Sequence, residues 1–198
     1  MIAAVVLELR ARHPGSLQNS SGTAAHGVWF RHLEDLDASL STHLHTGSDR
    51  PKPFTLSPLT GLPPAREGVL RFEAGQAAQL RVCTLSAALT RLLPHWLNAL
   101  PPELEIGGTH WQVAARCTAP AQHPHAGLTS YLELREQAQA RRPAPHCWSL
   151  EFLTPTAFNG LNTPFPFPLP DSAAVSWLRR WKAFSSDPLW PSFSEAEF

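Results

Sequence analysis

Three residues in the stretch "HLHTGSDRPKPFTLSPLTG", running from His43 to Gly61, have side chains suited to chemistry: His43, His45 and Lys52. A histidine moves protons near neutral pH. A lysine supplies a fixed cation. Lys52 lies seven positions beyond His45 along a loop, enough slack to bring both to one anionic group. His43 is the rival of His45. The two stand two apart at a helix end and point to different sides, so they cannot serve equally. As a metal pair "HLH" lacks further ligands at a useful spacing. The plain alternative is a surface loop whose prolines only shape a turn. Lysine is scarce in this chain. Lys52 and Lys182 are the only two among sixteen basic residues, so the position of each carries information.

The elements that would position these groups are legible from apolar spacing. "IAAVVLELRA" alternates as a first strand, and "RHPGSLQNSSG" reads as a loop. "TAAHGVWFRHLEDLDASLSTHLH" reads as one helix, with Trp29, Leu33, Leu36, Leu40 and Leu44 on its apolar face. "PFTLSPLTG" follows as a strand, then "GVLRFEAGQ" and "AQLRVCTLS". "SAALTRLLPHWLNALPP" forms a second helix, kinked at Pro94. "LEIGGTHWQVAARCTA" closes as a hairpin-like pair. The order strand, helix, strand, strand, helix, strand is that of a ferredoxin-like fold.

The expected class is therefore α+β with antiparallel sheets: a ferredoxin-like (RRM-like) domain over residues 1–118, a linker over 119–126, and a second, incomplete ferredoxin-like domain over 127–198. In the second, "LTSYLELREQAQARRPAPH" gives a strand and a short helix, "CWSLEFLTPTAF" a strand, and "NGLNTPFPFPLP" a loop. "DSAAVSWLRRWKAFS" gives a helix with Asp171 as N-cap and Val175, Leu178 and Trp181 along one side.

The bulk composition restricts the partners. The chain has 198 residues and no net charge with histidine neutral, which argues mildly against a nucleic-acid binder unless the positive charge is local. Cys83, Cys117 and Cys147 show no paired spacing, so neither zinc nor a disulfide framework is expected. The opening "MIAAVVLELR" is neither a signal peptide nor a membrane span. A cytoplasmic protein without cofactor or metal is expected. Candidate phosphate contacts are Arg135, Arg141 and Arg142, then Arg179, Arg180 and Lys182 in an exposed "RRWK" run; a solvated helix surface is the plain alternative. Most of the seven tryptophans fall on apolar stripes. Trp111 and Trp148, on strands, are the two placed where a base could stack.

Taken together, "GVWF" (Gly27 to Phe30), His45, Lys52, "PFTLSPL" (Pro53 to Leu59), "TPTAF" (Thr154 to Phe158) and the Trp177–Trp181 helix resemble the Cas6 family of CRISPR repeat-processing endoribonucleases. The resemblance implies two ferredoxin-like domains and metal-independent cleavage of repeat RNA by its own 2′-hydroxyl. It implies His45 as the proton-moving group and Lys52 as the cation at the phosphate. CRISPR repeat RNA is the implied partner, with other CRISPR effector subunits as further candidates and no membrane.

Two departures stand out. The family carries a glycine-rich loop near its end, and this chain has no glycine after Gly160. Some members place a tyrosine where this chain has Phe30, which can neither give nor take a proton. His26, one helical turn before Phe30, could stand in for it, although a solvated helix histidine is the commoner reading. The alternative function is a non-catalytic RNA-binding or scaffold subunit of a CRISPR ribonucleoprotein. A structural protein with no RNA partner is a third.

Overall fold

A computed structural model of the chain describes residues 1–18, 21–46, 51–141, 149–150, 158–159, 164–165 and 170–185. They fall into two compact units, 1–129 and 130–198.

The first unit is an antiparallel sheet with helices on one face. Its strands are β1 (Ile2–Ala11), β3 (Phe54–Leu56), β5 (Ala77–Thr84), β6 (Glu103–Ile106), β7 (Thr109–Cys117) and β8 (Gly127–Thr129). The order across the sheet is β3-β5-β1-β7-β6. Setting aside β6, the outer arm of a hairpin with β7, this is the strand order of a ferredoxin-like domain. The α+β class and antiparallel pairing expected from the sequence are present.

The alternation of β1 explains why the helices sit where they do. Val5, Leu7, Leu9 and Ala11 point to one face and are buried. Against them pack α1 (Ser21–Leu36) and α3 (Ala87–Ala99), through Trp29 and Leu33 on the first and Leu89, Leu93 and Trp96 on the second. The rings of Trp29 and Trp96 meet at 4.9 Å. Ser86 caps α3, its hydroxyl accepting from the Leu89 N–H. The helix continues through Pro94, where the Thr90 carbonyl has no N–H to receive.

Three expectations require correction. The long first helix is two: α1 stops at Leu36, and α2 spans Ala38–His45. Asp37 makes the break, leaving helical backbone (φ −157°, ψ 90°) while its carboxylate accepts the Leu40 N–H at 2.9 Å. The loop after β1 contains a strand, β2 (Gly15–Gln18), paired with β4 (Val69–Phe72) in a separate ribbon. Leu17 and Phe72 pin that ribbon to the domain. Gly107, with φ +58°, passes so close to Leu17 that a side chain there would collide with it. Finally, "PFTLSPLTG" is ladder only to Leu56. Pro58 has no N–H to give. The segment nonetheless stays on the sheet edge, with Ser57 donating to the Arg81 carbonyl and Thr60 bridging to Gln79.

Residues 119–126 lie against the other face of the sheet. Ala126 joins Val6 and Cys117 in a small cluster there, and Arg81 donates to the His125 carbonyl at 3.0 Å. β8 then pairs with Ile2–Ala4 of β1, beyond the end of β7.

In the second unit, α4 (Tyr131–Ala140) opens with a capping box between Ser130 and Glu133. β9 (Phe158–Asn159), at the end of the segment read as a strand, pairs with β10 (Pro164–Phe165), inside the segment read as a loop. α5 spans Pro170–Phe184. The helix starts at Pro170, so Asp171 lies in its first turn rather than at its cap; proline suits a first turn, where its missing N–H costs nothing. Tyr131 and Trp181 meet edge to face at 4.9 Å. Most of the strand read over "CWSLEFLTPTAF" lies outside the described residues. No helix among the described residues is long and apolar enough to cross a membrane.

Candidate functional site

The site is assembled on a small aromatic floor. Phe30 on α1 is only 8% exposed, as is Phe54 at the start of β3. Their rings meet at 5.7 Å, and Trp29 lies 5.6 Å from Phe54. Burial of these rings fixes the angle between α1 and the incoming strand, and that angle determines what stands above them.

His26 precedes Phe30 by four residues, so the two share one side of the helix. Their rings are 4.4 Å apart. The break at Asp37 turns α2 so that its last residue, His45, arrives over the same floor. The His45 ring lies 5.1 Å from Phe30 and 6.1 Å from His26, near perpendicular to both. Lys52, two residues before Phe54, reaches back to the end of α2, its Nζ donating to the Leu44 carbonyl at 2.7 Å and the Thr46 carbonyl at 3.3 Å. His26, His45 and Lys52 thus converge from three separate segments of chain.

The electrostatics follow from the packing. Both histidines are exposed, but the His26 ring lies against Phe30 and beside two basic groups. Partial burial is the main cause that holds its pKa below the ordinary 6.5, followed by the neighbouring charges of His45 and Lys52. His26 is therefore predominantly neutral at pH 7 and able to accept a proton. Phe30 is the surface on which both imidazoles rest.

The structure thus brings His45 and Lys52 together. It adds His26, which sequence reasoning weighed and set aside. The signal was present in its spacing of four from Phe30. His43 is exposed and takes no part in the ring contacts.

The candidate RNA-contact residues belong to the second unit. Arg135 is half-buried on α4, and Arg141 is exposed just past its end. Arg142 lies outside the described residues. On α5, Arg179 and Lys182 are exposed. Arg180 is not: it folds back along the helix and donates to the Ser176 hydroxyl. Trp177, placed on an apolar stripe by spacing, is 54% exposed. Trp111 is no platform for a base. It is fully buried against Phe72, with its indole N–H given to the Thr109 hydroxyl at 2.7 Å. Trp148 lies outside the described residues.

No family model and no curated protein matches the sequence. Solved structures do. The product complex of the Cas6 protein TTHB231 is 33% identical, with a TM-score of 0.68, over 96% of this chain and 69% of that one. The Thermus thermophilus Cas6 TTHB231 structure is 32% identical, with a TM-score of 0.61, over 96% and 64%. The product complex of the Cas6 protein TTHA0078 is 26% identical, with a TM-score of 0.67, over 94% and 65%. The chain therefore spans 64–69% of the length of these proteins. Identity and coverage at this level, joined to the ferredoxin-like strand order, show that the chain belongs to the Cas6 family.

Proposed function

We propose that this chain is a metal-independent endoribonuclease that cuts CRISPR repeat RNA, with His26 and His45 exchanging protons at one phosphodiester. The observation that carries the reading is the pair of imidazoles, 6.1 Å apart, with the Lys52 ammonium beside them. A group lying between two such rings is within reach of both.

The 2′-hydroxyl oxygen attacks the adjacent phosphorus, and the bond from phosphorus to the 5′-oxygen breaks. His26, neutral because of its lowered pKa, takes the hydroxyl proton. His45 gives a proton to the departing 5′-oxygen. Lys52 offsets the negative charge that builds on the phosphate oxygens. The products are a 2′,3′-cyclic phosphate and a 5′-hydroxyl. The nucleophile is internal to the substrate, so the protein need only position the phosphate and move two protons. Arg135, Arg141, Arg142, Arg179, Arg180 and Lys182 are proposed to hold the RNA, by charge rather than by sequence.

The test is single-turnover cleavage of a labelled repeat RNA in excess EDTA. His45→Ala and His26→Ala should each lower the rate by about 10²-fold or more, the usual contribution of acid–base catalysis, with affinity little changed. His43→Ala should cut like the wild type. Undiminished cleavage by His45→Ala would remove its role, and activity lost in EDTA would point to a metal. Tight binding without any cleavage by the wild type would leave a non-catalytic RNA-binding subunit.

A further inference from the structure

Helix α2 ends at His45, with Thr46 as its C-cap. Thr46 closes it in extended backbone (φ −79°, ψ 151°), and both its N–H and its hydroxyl donate to the Thr42 carbonyl at 2.9 Å. The last carbonyls of a helix take their donors from outside it. Lys52 is one such donor here, giving N–H bonds to the Leu44 carbonyl at 2.7 Å and the Thr46 carbonyl at 3.3 Å. The ammonium thus bonds to the carbonyls of the residues on either side of His45. A cation here also meets the negative end of the helix dipole.

The geometry points to Lys52 as a positioning residue for His45: its ammonium ties the backbone at Leu44 and Thr46, one residue either side of His45, and so fixes where that imidazole stands over Phe30 before any RNA arrives. This rests on the proton-transfer role given to His45 above, and it adds a duty distinct from neutralising the phosphate. A neutralising cation acts only when substrate is present. A cap on the last turn acts always. The ring contacts of His45 with Phe30 at 5.1 Å and His26 at 6.1 Å depend on the backbone holding still at that residue. A helix end with fewer bonded carbonyls supplies that rigidity less well.

The experiment needs no RNA, so its outcome is independent of whether the chain cleaves. Amide hydrogen exchange is followed by NMR in the wild type and in Lys52→Met, Lys52→Arg and Lys52→Gln. In Lys52→Met the amides of Leu44, His45 and Thr46 should exchange roughly tenfold faster or more, while β1 and β5 keep their protection. The His45 ring resonances should shift in the same variant. Lys52→Arg, which keeps both donors and charge, should restore both signals. Should Lys52→Met fail to fold, Lys52→Gln, which keeps a donor without the charge, carries the measurement. With RNA added, the cleavage rate should fall in step with lost protection across the variants, with affinity nearly constant. Unchanged protection at Leu44–Thr46 in the folded neutral variants would overturn the inference and leave Lys52 as a charge alone.

Discussion

The His26–His45–Lys52 site and the basic surface of α5 both present positive groups, but they are made differently. In the first, residues 26, 45 and 52 come together because Phe30 and Phe54 must bury against each other. In the second, Arg179 and Lys182 are near in space because they are near in sequence, on the exposed side of one helix. Bond-making chemistry needs groups held at fixed mutual distances, which only packed elements supply. A polyanion needs only positive charge at the surface. The contrast is why cutting is proposed for the first and holding for the second.

The comparison breaks most readily at the floor of the site. Phe30→Ala removes the surface under both imidazoles. It should cost about 3 kcal/mol of stability, as for other buried phenylalanines, and should lower cleavage at least as much as loss of either histidine. Denaturant melts and single-turnover rates measure the two effects. Phe30→Tyr, which keeps the ring, should retain fold and cleavage.

Next in size is the basic helix. The double change Arg179→Ala, Arg180→Ala should weaken RNA binding at low salt. It should flatten the dependence of log affinity on log salt by about one for each phosphate that is no longer neutralised, with the cutting rate at saturating enzyme unchanged. Arg180 already bonds to Ser176, so Arg179 should account for most of the change. Equal affinity at low salt would make α5 an ordinary solvated surface.

A proton titration sharpens the contrast further. His26 should titrate below 6.5 by NMR, and Lys52→Met should raise its pKa by removing one neighbouring charge. The sign for stability follows. As pH falls through 6.5 the unfolded chain protonates this residue first, so folding loses free energy until the lower folded pKa is reached, and nothing more below it. His26→Gln should remove that slope. The smallest effect lies outside both regions. The two-residue turn before β4 holds Glu67 at φ 51° between reciprocal Arg66–Val69 backbone bonds. Asparagine is favoured in that conformation, so Glu67→Asn should stabilise the fold by roughly 1 kcal/mol or less, leaving binding and cleavage unchanged. A thermal melt reads it.

What was legible in the sequence followed local pattern. β1 and α3 each bury one face, and their apolar periods say so. His45 and Lys52 stood out by type and by scarcity. The break between α1 and α2 was hidden because the apolar period runs on from Leu36 to Leu40 unbroken; only Asp37, with its capping carboxylate, marked it. β2 escaped because a single buried side chain, Leu17, gives no alternation to count, and its partner β4 lies more than fifty residues away. His26 meets His45 through tertiary packing, which spacing along one helix cannot report. Trp111 read as a candidate base platform because it stands on a strand rather than on an apolar helix stripe. Phe72, brought by the unforeseen ribbon, covers it.

The strap over residues 119–126 and the short strand after it have a practical consequence for dissecting the molecule. A fragment ended at Thr118 would strip Ala126 from Val6 and deprive Ile2–Ala4 of the hydrogen bonds made by β8. A bare strand edge beside an uncovered valine is an invitation to self-association. Such a fragment should precipitate or form soluble aggregates, whereas one carried through Thr129 should stay monodisperse. Any attempt to study the histidine site apart from the rest of the chain should therefore retain those eleven further residues.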